Sequence, residues 1–505
     1  MLVRHLFFSC YLFFSLNSLL GQSDTQYWYF GYNAGIKFTK SNYQVDTKGQ
    51  INTGEGTRSI DLGDGVFFYS DGESIFNKNH HKIKGISLRG EPSSTQAAMF
   101  IKHEDNDSII FLLTNSTSTT AGTDCPSFYY ELKIENDTSL QLKQGFSLNQ
   151  FGSEKTSSIL HKNCRDIWIV SHKFTGIEYY TYLINKNGLI QCKTSSLLGS
   201  NYKTSSNPGQ GQIKFSTNGN YIAASSSALG KVDLFHFDNS SGKLSSPIIL
   251  DIFFNHGIEF SLNERYLYVT NIQGKLFQYD LTIWDSASIK ATEKTITSQG
   301  VKTISPLQMC TNGKIYWSHN DSGYLAVIND PDSSGNKCNF TFRGIYLNGK
   351  KSAGGVPAFN QSYFYTPAIN YSYEMECIGN SVKFWGNDTF SANTHNWQVR
   401  KLAIGTWQSV SNSKSFTYAF ADTGRYDIRY IAGNGTKRDT VIKTITIYPK
   451  INKQFLGKDT TYTTGSSINK ILKTPNGMHC HLWLNDSSGL STFTADTTGI
   501  YIYAK

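Results

Sequence analysis

The sequence predicts an all-β protein, and two observations support this fold class. Aromatic residues and glycine are abundant, with 30 Tyr, 32 Phe and 43 Gly, against 10 Pro and 5 Met. Aromatic and β-branched residues favour pleated strands, and small polar residues favour the turns between them. In addition, one short strand pattern recurs along the chain. The length of 505 residues is sufficient for about three or four domains that each bury a core.

The first 21 residues have the organisation of a secretory signal peptide. A basic flank at Arg4 and His5 precedes an apolar stretch over residues 6–20, which ends at the small residue Gly21. That stretch is too short for a stable membrane helix, and no later segment approaches the roughly 20 apolar residues that a span requires. We therefore predict export to the extracellular space or outer cell surface, with no membrane span.

A strand of aromatic and branched residues returns at intervals of about 44 to 57 residues. In the clearest pair of copies, a polar turn precedes the strand, and a second strand follows that ends in an aspartate, Asp238 or Asp280. The recurring strands are residues 66–69, 110–113, 167–170, 221–224, 266–269 and 315–317.

A repeat of this length and content predicts a four-stranded propeller blade. One blade cannot bury both of its faces, so blades have to stack around an axis and close into a ring. Residues 28–38 and 355–364 could supply strands to one more blade and lock the ring. We predict a β-propeller over residues 22–371 with seven blades, and six or eight blades are the alternatives.

From about residue 372 the pattern changes to two shorter modules. Each has tryptophan in a predicted strand and then a turn of the form Ala-Asp, one or two Thr, and Gly-x-Tyr. A tryptophan available for burial, with alternating strands after a glycine turn, indicates an immunoglobulin-like β-sandwich. We assign these sandwiches to residues 372–449 and 450–505 and expect the second to be truncated. The tryptophans are Trp385, Trp397 and Trp407 in the first module and Trp483 in the second.

Short motifs spread over nearly the whole mature chain carry a family resemblance. They are WYFGYNAGIKF at 28–38, NTGEG at 52–56, FYSDG at 68–72, NKNH at 77–80, SSTQ at 93–96, TNGKIY at 311–316 and VINDP at 327–331. In these motifs the chain resembles secreted surface proteins of Bacteroidetes-type bacteria that are associated with gliding motility and type IX secretion. The resemblance implies a propeller, then polycystic-kidney-disease-type (PKD) domains, and an adhesive or scaffolding role. It implies no catalytic residues, and whether a sorting domain follows Lys505 stays open.

Charge and cysteine content narrow the function classes. The net charge of +9 is spread along the chain, whereas a nucleic-acid site needs basic residues concentrated on one face. We therefore expect no nucleic-acid partner. Seven cysteines follow the signal peptide without a CxxC spacing, and bridges Cys164–Cys192 and Cys310–Cys338 are conceivable.

Acidic and metal-binding patterns give three candidate sites, each with a structural alternative. Asp61, Asp64, Asp71 and Glu73 could serve a glycosidase, but Asp-Gly pairs are also ordinary hairpin turns, which we favour. His479-Cys480-His481 offers metal-ligand side chains without further ligands nearby, so we favour a plain strand. The third site begins at Asp330, Asp332 and Ser334, whose oxygens resemble the start of a calcium loop. Thr341 replaces the acid expected at the twelfth position, so we favour a solvated loop there over a weak calcium site.

Exposed aromatic side chains at a propeller mouth could stack on sugar rings, with Trp168, Trp284, Trp317 and Tyr324 as candidates, although aromatic residues also supply most of a sheet core. The sequence contains no Gly-x-Ser-x-Gly, His-Glu-x-x-His or Walker motif. We therefore predict no catalytic residues and no cofactor other than a possible Ca²⁺.

The leading hypothesis is a surface binding or adhesion protein, with the propeller as recognition module, the sandwiches as stalk, and a surface glycan or envelope protein as partner. The alternatives are a secreted polysaccharide-active enzyme and a structural component of a motility or secretion assembly. Ligand identity, exact blade count and disulfide pairing are not fixed by the sequence.

Overall fold

The structure, a computed structural model, describes two separate parts of the chain between residues 25 and 504. Its compact units are Met1–Thr366 and Pro367–Lys505. The signal peptide, Asp64, Cys164 and the His479-Cys480-His481 motif lie outside the described residues. The positions not described are 1–24, 40, 64, 104–105, 107, 117–125, 150–151, 163–165, 186, 203–208, 301–303, 305, 365–368, 374–380, 389–391, 403–405, 435–437, 448–469, 474–481, 484–491, 496–502 and 505.

The described residues of the first unit form seven open antiparallel sheets, which we number 1 to 7 in chain order. Sheets 1 to 3 are formed by β1 (Tyr27–Phe30), β2 (Ala34–Phe38) and β3 (Tyr43–Asp46); by β4 (Arg58–Gly63), β5 (Val66–Ser70) and β6 (Ile75–Asn77); and by β7 (Ala98–Lys102), β8 (Ile109–Asn115), β9 (Ser127–Asn136) and β10 (Ser139–Asn149). Sheets 4 and 5 are formed by β11 (Gly152–Leu160), β12 (Ile167–Lys173), β13 (Glu178–Asn185) and β14 (Gly188–Leu197), and by β15 (Ile213–Phe215), β16 (Tyr221–Ser226), β17 (Lys231–Asp238) and β18 (Lys243–Asp251). Sheets 6 and 7 are formed by β19 (Asn255–Phe260), β20 (Tyr266–Asn271), β21 (Leu276–Asp280) and β22 (Lys294–Thr297), and by β23 (Leu307–Met309), β24 (Ile315–Trp317), β25 (Tyr324–Ile328) and β26 (Phe340–Tyr346).

Helix is scarce in the described part of the chain. One α-helix, α1, covers Ser286–Ala291, and short 3₁₀ turns cover Gly335–Cys338 and Gln361–Phe364. No helix among the described residues has the length and apolar character needed to cross a membrane. The all-β prediction is therefore confirmed.

The six recurring sequence strands all occupy the same place in their sheets. They lie in β5, β8, β12, β16, β20 and β24, each of which is the second strand of its sheet. A second strand has a hydrogen-bonded neighbour on both edges and can be covered on both faces. This position explains the continuous apolar runs, since every residue of β20 is buried.

Polar turns before the second strand and after the third strand repeat with the same chemistry in sheets 5 and 6. The hydroxyls of Ser216 and Ser261 each accept a hydrogen bond from the N–H five residues later, at 3.0 and 2.9 Å. The carboxylates of Asp238 and Asp280 each accept from the N–H two residues later, at 2.9 Å in both cases. Such side-chain hydrogen bonds stabilise the turns in the way that a backbone hydrogen bond would. This explains why the same residue types recur at these positions.

Consecutive sheets share apolar cores, and the last sheet also packs against the first. Trp28 and Phe38 of sheet 1 lie in one core with Tyr316 of sheet 7. The ring centroid of Trp28 is 5.6 Å from that of Tyr316, and the centroid of Phe38 is 4.9 Å from it. The contact between sheets 1 and 7, which we call the seam, therefore covers the outer faces of the two terminal sheets.

Residues 355–364 contribute to this unit in a different way from the prediction. They form no strand of a sheet; instead Pro357 makes an isolated parallel bridge with Thr57, and Gln361–Phe364 is a 3₁₀ turn. The Ala358 N–H donates to the Thr57 carbonyl at 3.0 Å. This segment thus contacts the residue before β4 through an isolated bridge and a single hydrogen bond, and it adds no strand to sheet 2.

The conceivable Cys310–Cys338 bridge is wrong. Both side chains are buried in the core that sheets 1, 6 and 7 share, and both are free thiols. Their burial as small apolar groups explains their presence without a bridge. The Cys164–Cys192 pairing stays a prediction, because neither side chain is among those described.

The second unit contains two antiparallel sheets around one core. Its strands are β27 (Ile369–Tyr373), β28 (Ser381–Asp388), β29 (Thr394–Lys401), β30 (Gln408–Ser411), β31 (Ser415–Ala419), β32 (Gly424–Gly433) and β33 (Arg438–Ile447), followed by β34 (Lys470–Lys473), β35 (Leu482–Trp483), β36 (Thr492–Ala495) and β37 (Tyr503–Ala504). Sheet 8 has the order β27-β28-β31 and sheet 9 the order β30-β29-β32-β33. Trp397 is fully buried between the two sheets, where its ring stacks on Tyr430 with centroids 4.2 Å apart. The strands after β33 form two pairs, β34-β36 and β35-β37.

Replacement of Trp28 tests the importance of the seam. We expect Trp28→Ala to lower the free energy of unfolding by about 3 to 5 kcal/mol, since it leaves a large cavity in a shared core. Chemical denaturation measures the change. Phe253→Ala, at an aromatic residue that is 74% exposed, is the control and should cost less than about 1 kcal/mol; equal losses in both variants would contradict the packing described.

Candidate functional site

Buried glutamine amides connect the first strands of neighbouring and distant sheets. The Gln212 Oε1 accepts from the backbone N–H groups of Ile258 and Leu307, at 2.9 and 3.1 Å. The Gln96 amide exchanges two hydrogen bonds with the backbone of Ile213, at 3.0 and 3.2 Å. These amides hold the first strands in register and so fix the position of every residue at their upstream ends.

A buried arginine makes a similar connection between sheets 2 and 3 and the segment after sheet 7. The Arg58 guanidinium donates to the carbonyl of Phe100 at 3.0 Å and to the carbonyl of Ala358. It also lies over the Phe359 ring, 4.2 Å from the centroid. Arg58 is fully buried, and a buried charge needs such partners to be tolerated. Its role is therefore structural.

One buried carboxylate on the first strands is already neutralised. The Lys214 Nζ is 3.0 Å from the Glu259 Oε2 and also donates to the Gln308 Oε1. The same Glu259 oxygen accepts the Met309 N–H at 2.9 Å. Burial raises the pKa of Glu259, and Lys214 opposes that rise. With both oxygens bonded to protein groups, this carboxylate is poorly placed for catalysis.

Two further carboxylates lie close together near the upstream ends of the first strands. The Thr95 hydroxyl donates to Glu55 at 3.1 Å. Burial, reinforced by the charge of Glu154, raises the pKa of Glu55 to about 8. Burial also raises the pKa of Glu154 to about 7, against the opposing effect of Lys155. Such a pair can hold and release a proton near neutral pH, which is the chemistry of a general acid or base.

Glu154 and Lys155 are adjacent, and both are buried because both faces of β11 are covered over residues 152–159. The register between β11 and β12 shifts between Gly152 and Thr156, so these two residues lie where the regular ladder is interrupted. The Lys155 Nζ donates to the Tyr202 hydroxyl at 3.1 Å and to the Ser225 carbonyl. Burial lowers the pKa of Lys155 to about 7.

An open cleft lies at the seam. Its volume is about 290 Å³, and sheets 1 and 7 supply its walls. Tyr43 is 43% exposed on the sheet 1 side. On the sheet 7 side, the Lys314 Nζ donates to the Asn329 Oδ1 at 2.7 Å, and the Asn329 Nδ2 donates to the Thr341 hydroxyl at 3.2 Å. The Asn312 amide donates to the Tyr316 hydroxyl at 2.8 Å.

The cleft thus combines a flat apolar surface with several hydrogen-bonding groups. Ammonium, amide and hydroxyl groups retain donor and acceptor capacity beyond the bonds they make here. An exposed tyrosine ring offers a stacking surface. Concave sites with an aromatic wall and a few polar groups are typical of small-molecule recognition.

Two of the acidic residues predicted around the first clear strand, Asp61 and Asp71, bond to backbone N–H groups close by in sequence. The Asp71 Oδ1 accepts from the N–H groups of Glu73 and Ser74, at 3.0 and 2.7 Å. The Asp61 carboxylate accepts from the Gly63 N–H at 2.9 Å. These bonds support the turn interpretation of both aspartates.

The three calcium candidates each bond to a different part of sheets 6 and 7. Asp330 accepts from the Asn339 amide at 3.1 Å, and Asp332 accepts from the Asn263 N–H at 2.9 Å. The Ser334 hydroxyl accepts from Lys294 at 2.7 Å. Within the part of the chain that the structure describes, no group of three or more His, Cys, Asp or Glu side chains could hold a metal ion. The calcium site stays a prediction.

The aromatic candidates divide into core and surface residues. Trp168 and Trp317 are buried, so the core alternative holds for them. Trp284 is partly exposed and stacks on Tyr221 with centroids 5.0 Å apart. Tyr324 is also partly exposed and lies beside Tyr346.

Sequence reasoning missed the cleft and the Glu55/Glu154 pair as sites. Two motifs used for the family resemblance contained part of the signal, since TNGKIY holds Asn312, Lys314 and Tyr316, and NTGEG holds Glu55. Glu154 had no comparable signal, because its proximity to Glu55 depends on packing between sheets far apart in sequence.

Comparison with known proteins gives distant structural similarity only. No protein-family model and no curated protein matches the chain. A Bacteroides uniformis protein provisionally assigned as a 6-phosphogluconolactonase is 12% identical, with 78% of this chain and 100% of that chain covered and a TM-score of 0.37. The periplasmic gluconolactonase PpgL of Pseudomonas aeruginosa is 10% identical, with 72% of this chain and 98% of that chain covered and a TM-score of 0.36. The extracellular domain of a provisionally assigned hybrid two-component system of B. thetaiotaomicron is 12% identical, with 84% of this chain and 62% of that chain covered and a TM-score of 0.32.

The raised pKa of Glu154 predicts a pH-dependent stability. The folded state keeps this carboxyl protonated up to about pH 7, whereas the unfolded chain ionises near its ordinary value of 4.5. Stability therefore falls as the pH rises through this window, by up to about 3 kcal/mol. Glu154→Gln should remove that loss, so its melting temperature should exceed the wild-type value more at pH 7.5 than at pH 4.5. Glu73→Gln, at an exposed position, is the control. If the melting-temperature difference between Glu154→Gln and wild type were the same at pH 7.5 and pH 4.5, the burial of Glu154 would be contradicted.

Proposed function

We propose that this protein is an exported surface protein that binds a saccharide in the seam cleft. The observation that carries the proposal is the placement of the exposed Tyr43 ring opposite hydrogen-bonding groups on sheet 7. A sugar ring has an apolar C–H face that packs on an aromatic ring, and an edge of hydroxyls that pairs with amides and ammonium groups. The volume of about 290 Å³ is sufficient for one or two sugar units.

We further propose that the first unit is a seven-bladed β-propeller and the second an immunoglobulin-like or PKD-type sandwich serving as a stalk. Seven successive antiparallel sheets, with sheet 7 packed on sheet 1, support the blade count. Two sheets around Trp397 support the sandwich. The apolar stretch at residues 6–20 and the resemblance to Bacteroidetes-type surface proteins support export and an adhesive role.

A second candidate function is polysaccharide cleavage, and one observation favours it. Glu55 and Glu154 form a carboxylate pair with pKa values of about 8 and about 7, and glycoside hydrolysis uses two carboxylates. The binding function is preferred because Glu154 is 4% exposed, which restricts a polymer's access to it.

Removal of the Tyr43 ring tests the binding function. We expect Tyr43→Ala to weaken binding of the preferred saccharide on a glycan array by at least tenfold, because the stacking surface is lost. Phe253→Ala removes an exposed aromatic ring elsewhere and should leave binding within twofold. Equal binding by Tyr43→Ala and wild type would exclude the cleft as the site.

The same saccharides, incubated with the protein and analysed by mass spectrometry, distinguish binding from cleavage. The binding function predicts unchanged saccharide after prolonged incubation. Turnover that is lost in both Glu55→Gln and Glu154→Gln but kept in Glu73→Gln would establish the enzyme instead.

A further inference from the structure

Two arginines of the second unit share one indole ring on the outer face of sheet 9. The guanidinium carbons of Arg400 and Arg429 lie 4.5 and 4.1 Å from the centroid of Trp407. Both distances are within the range of a cation–π interaction. In the ladder between β29 and β32, Arg400 lies opposite Asp427 and Gln398 lies opposite Arg429. Arg400 and Gln398 are two residues apart on β29, as are Asp427 and Arg429 on β32. Because side chains two residues apart point to the same side of a strand, both cations lie on one face.

The acceptors nearby compensate only one of these two charges. The Asp427 Oδ2 accepts from Arg400 at 2.9 and 2.8 Å, and the Asp427 Oδ1 accepts from the Thr444 hydroxyl at 2.6 Å. Arg429 bonds to the neutral amide of Gln398. Among the described residues, Asp427 is the one carboxylate ion-paired to either arginine, and both of its oxygens are taken.

Two like charges on one small face repel each other unless an anion lies between them. Burial and the proximity of Arg400 both lower the pKa of Arg429, which agrees with an uncompensated cation. Arg429 is nevertheless partly exposed, so a ligand can reach it. A planar guanidinium binds a carboxylate through two parallel N–H···O bonds, an arrangement that lysine cannot make.

Neutral hydrogen-bonding groups extend the same face beyond the arginines. The Asn396 amide donates to the Asn412 side chain at 2.9 Å, and the Gln398 amide donates to the Ser409 hydroxyl at 3.4 Å. Amides and hydroxyls next to an indole are suited to sugar hydroxyls and ring faces. The face therefore offers a cationic group, an aromatic ring and polar neighbours in one place.

We propose that the Arg400/Trp407/Arg429 face of sheet 9 binds a carboxylate-bearing saccharide, with Arg429 as the residue that receives the carboxylate. This site is separate from the seam cleft and does not depend on it. The second unit then has a binding role of its own in addition to serving as a stalk.

Affinity electrophoresis of the full chain in gels containing polygalacturonate tests this site, with fully methyl-esterified polygalacturonate as the neutral ligand. We expect wild type to be retarded by the acidic polymer and not by its ester. Arg429→Gln should reduce the affinity at least tenfold, and Arg429→Lys should reduce it by less. Trp407→Ala should also weaken binding.

Lys383→Gln is the matched control, because it removes one positive charge that lies over a single indole, 5.2 Å from the Trp385 centroid, on sheet 8. It should change the affinity by less than twofold, and Tyr43→Ala should have no effect. Equal losses in Arg429→Gln and Lys383→Gln would mean diffuse attraction by net charge and would overturn the proposal, as would equal retardation by the ester. Melting temperatures show whether each variant folds. If Arg429→Gln does not fold, the affinity of Arg429→Lys for the acidic polymer is the test. Wild-type affinity in Arg429→Lys would also overturn the proposal.

Discussion

The structure of the first unit depends on one constraint, which is that a sheet with two apolar faces needs a neighbour on each face. Interior sheets satisfy it through the sheets before and after them. Sheets 1 and 7 satisfy it through each other, by the contact of Trp28 and Phe38 with Tyr316. Without that contact, two large apolar surfaces would face water at a cost of about 25 cal/mol per Å². The cleft exists because two sheets from opposite ends of the sequence meet there.

The same packing decides what buried charges can do. Along the first strands, Arg58, Lys214 and Glu259 are bonded to amides, carbonyls and each other, since an unpaired buried ion is strongly destabilising. Their bonds connect sheets across long sequence separations, so they contribute to a unique arrangement of the first strands. Solvent-facing groups at the seam and on sheet 9 have spare hydrogen-bonding capacity, and both proposed binding sites therefore lie at the surface.

Much of the fold could be predicted because apolar runs and turn residues that lie close together in sequence indicate the strands and their ends. The second strand of each sheet is buried on both faces, so it appears as a continuous apolar run. In sheet 5, Ser216 marks the turn before the second strand and Asp238 marks the turn after the third strand. The part that could not be predicted depends on packing between distant segments. Residues 355–364 bond back to Thr57 without forming a strand, Cys310 and Cys338 lie in a core as free thiols, and Glu154 lies near Glu55 through packing between sheets. For the same reason Trp317, a candidate for sugar stacking, is a core residue, while Tyr43, which the sequence did not single out, is exposed in the cleft.

A double-mutant cycle on Trp28 and Tyr316 tests the central claim most directly, because these residues belong to the first and last sheets and are separated by most of the first unit. The free energies of unfolding of wild type, Trp28→Leu, Tyr316→Leu and the double variant give the interaction between the two rings. Packing of sheet 1 on sheet 7 predicts a coupling of about 0.5 to 1.5 kcal/mol. Strictly additive effects would mean that the two rings do not touch and would contradict the seam.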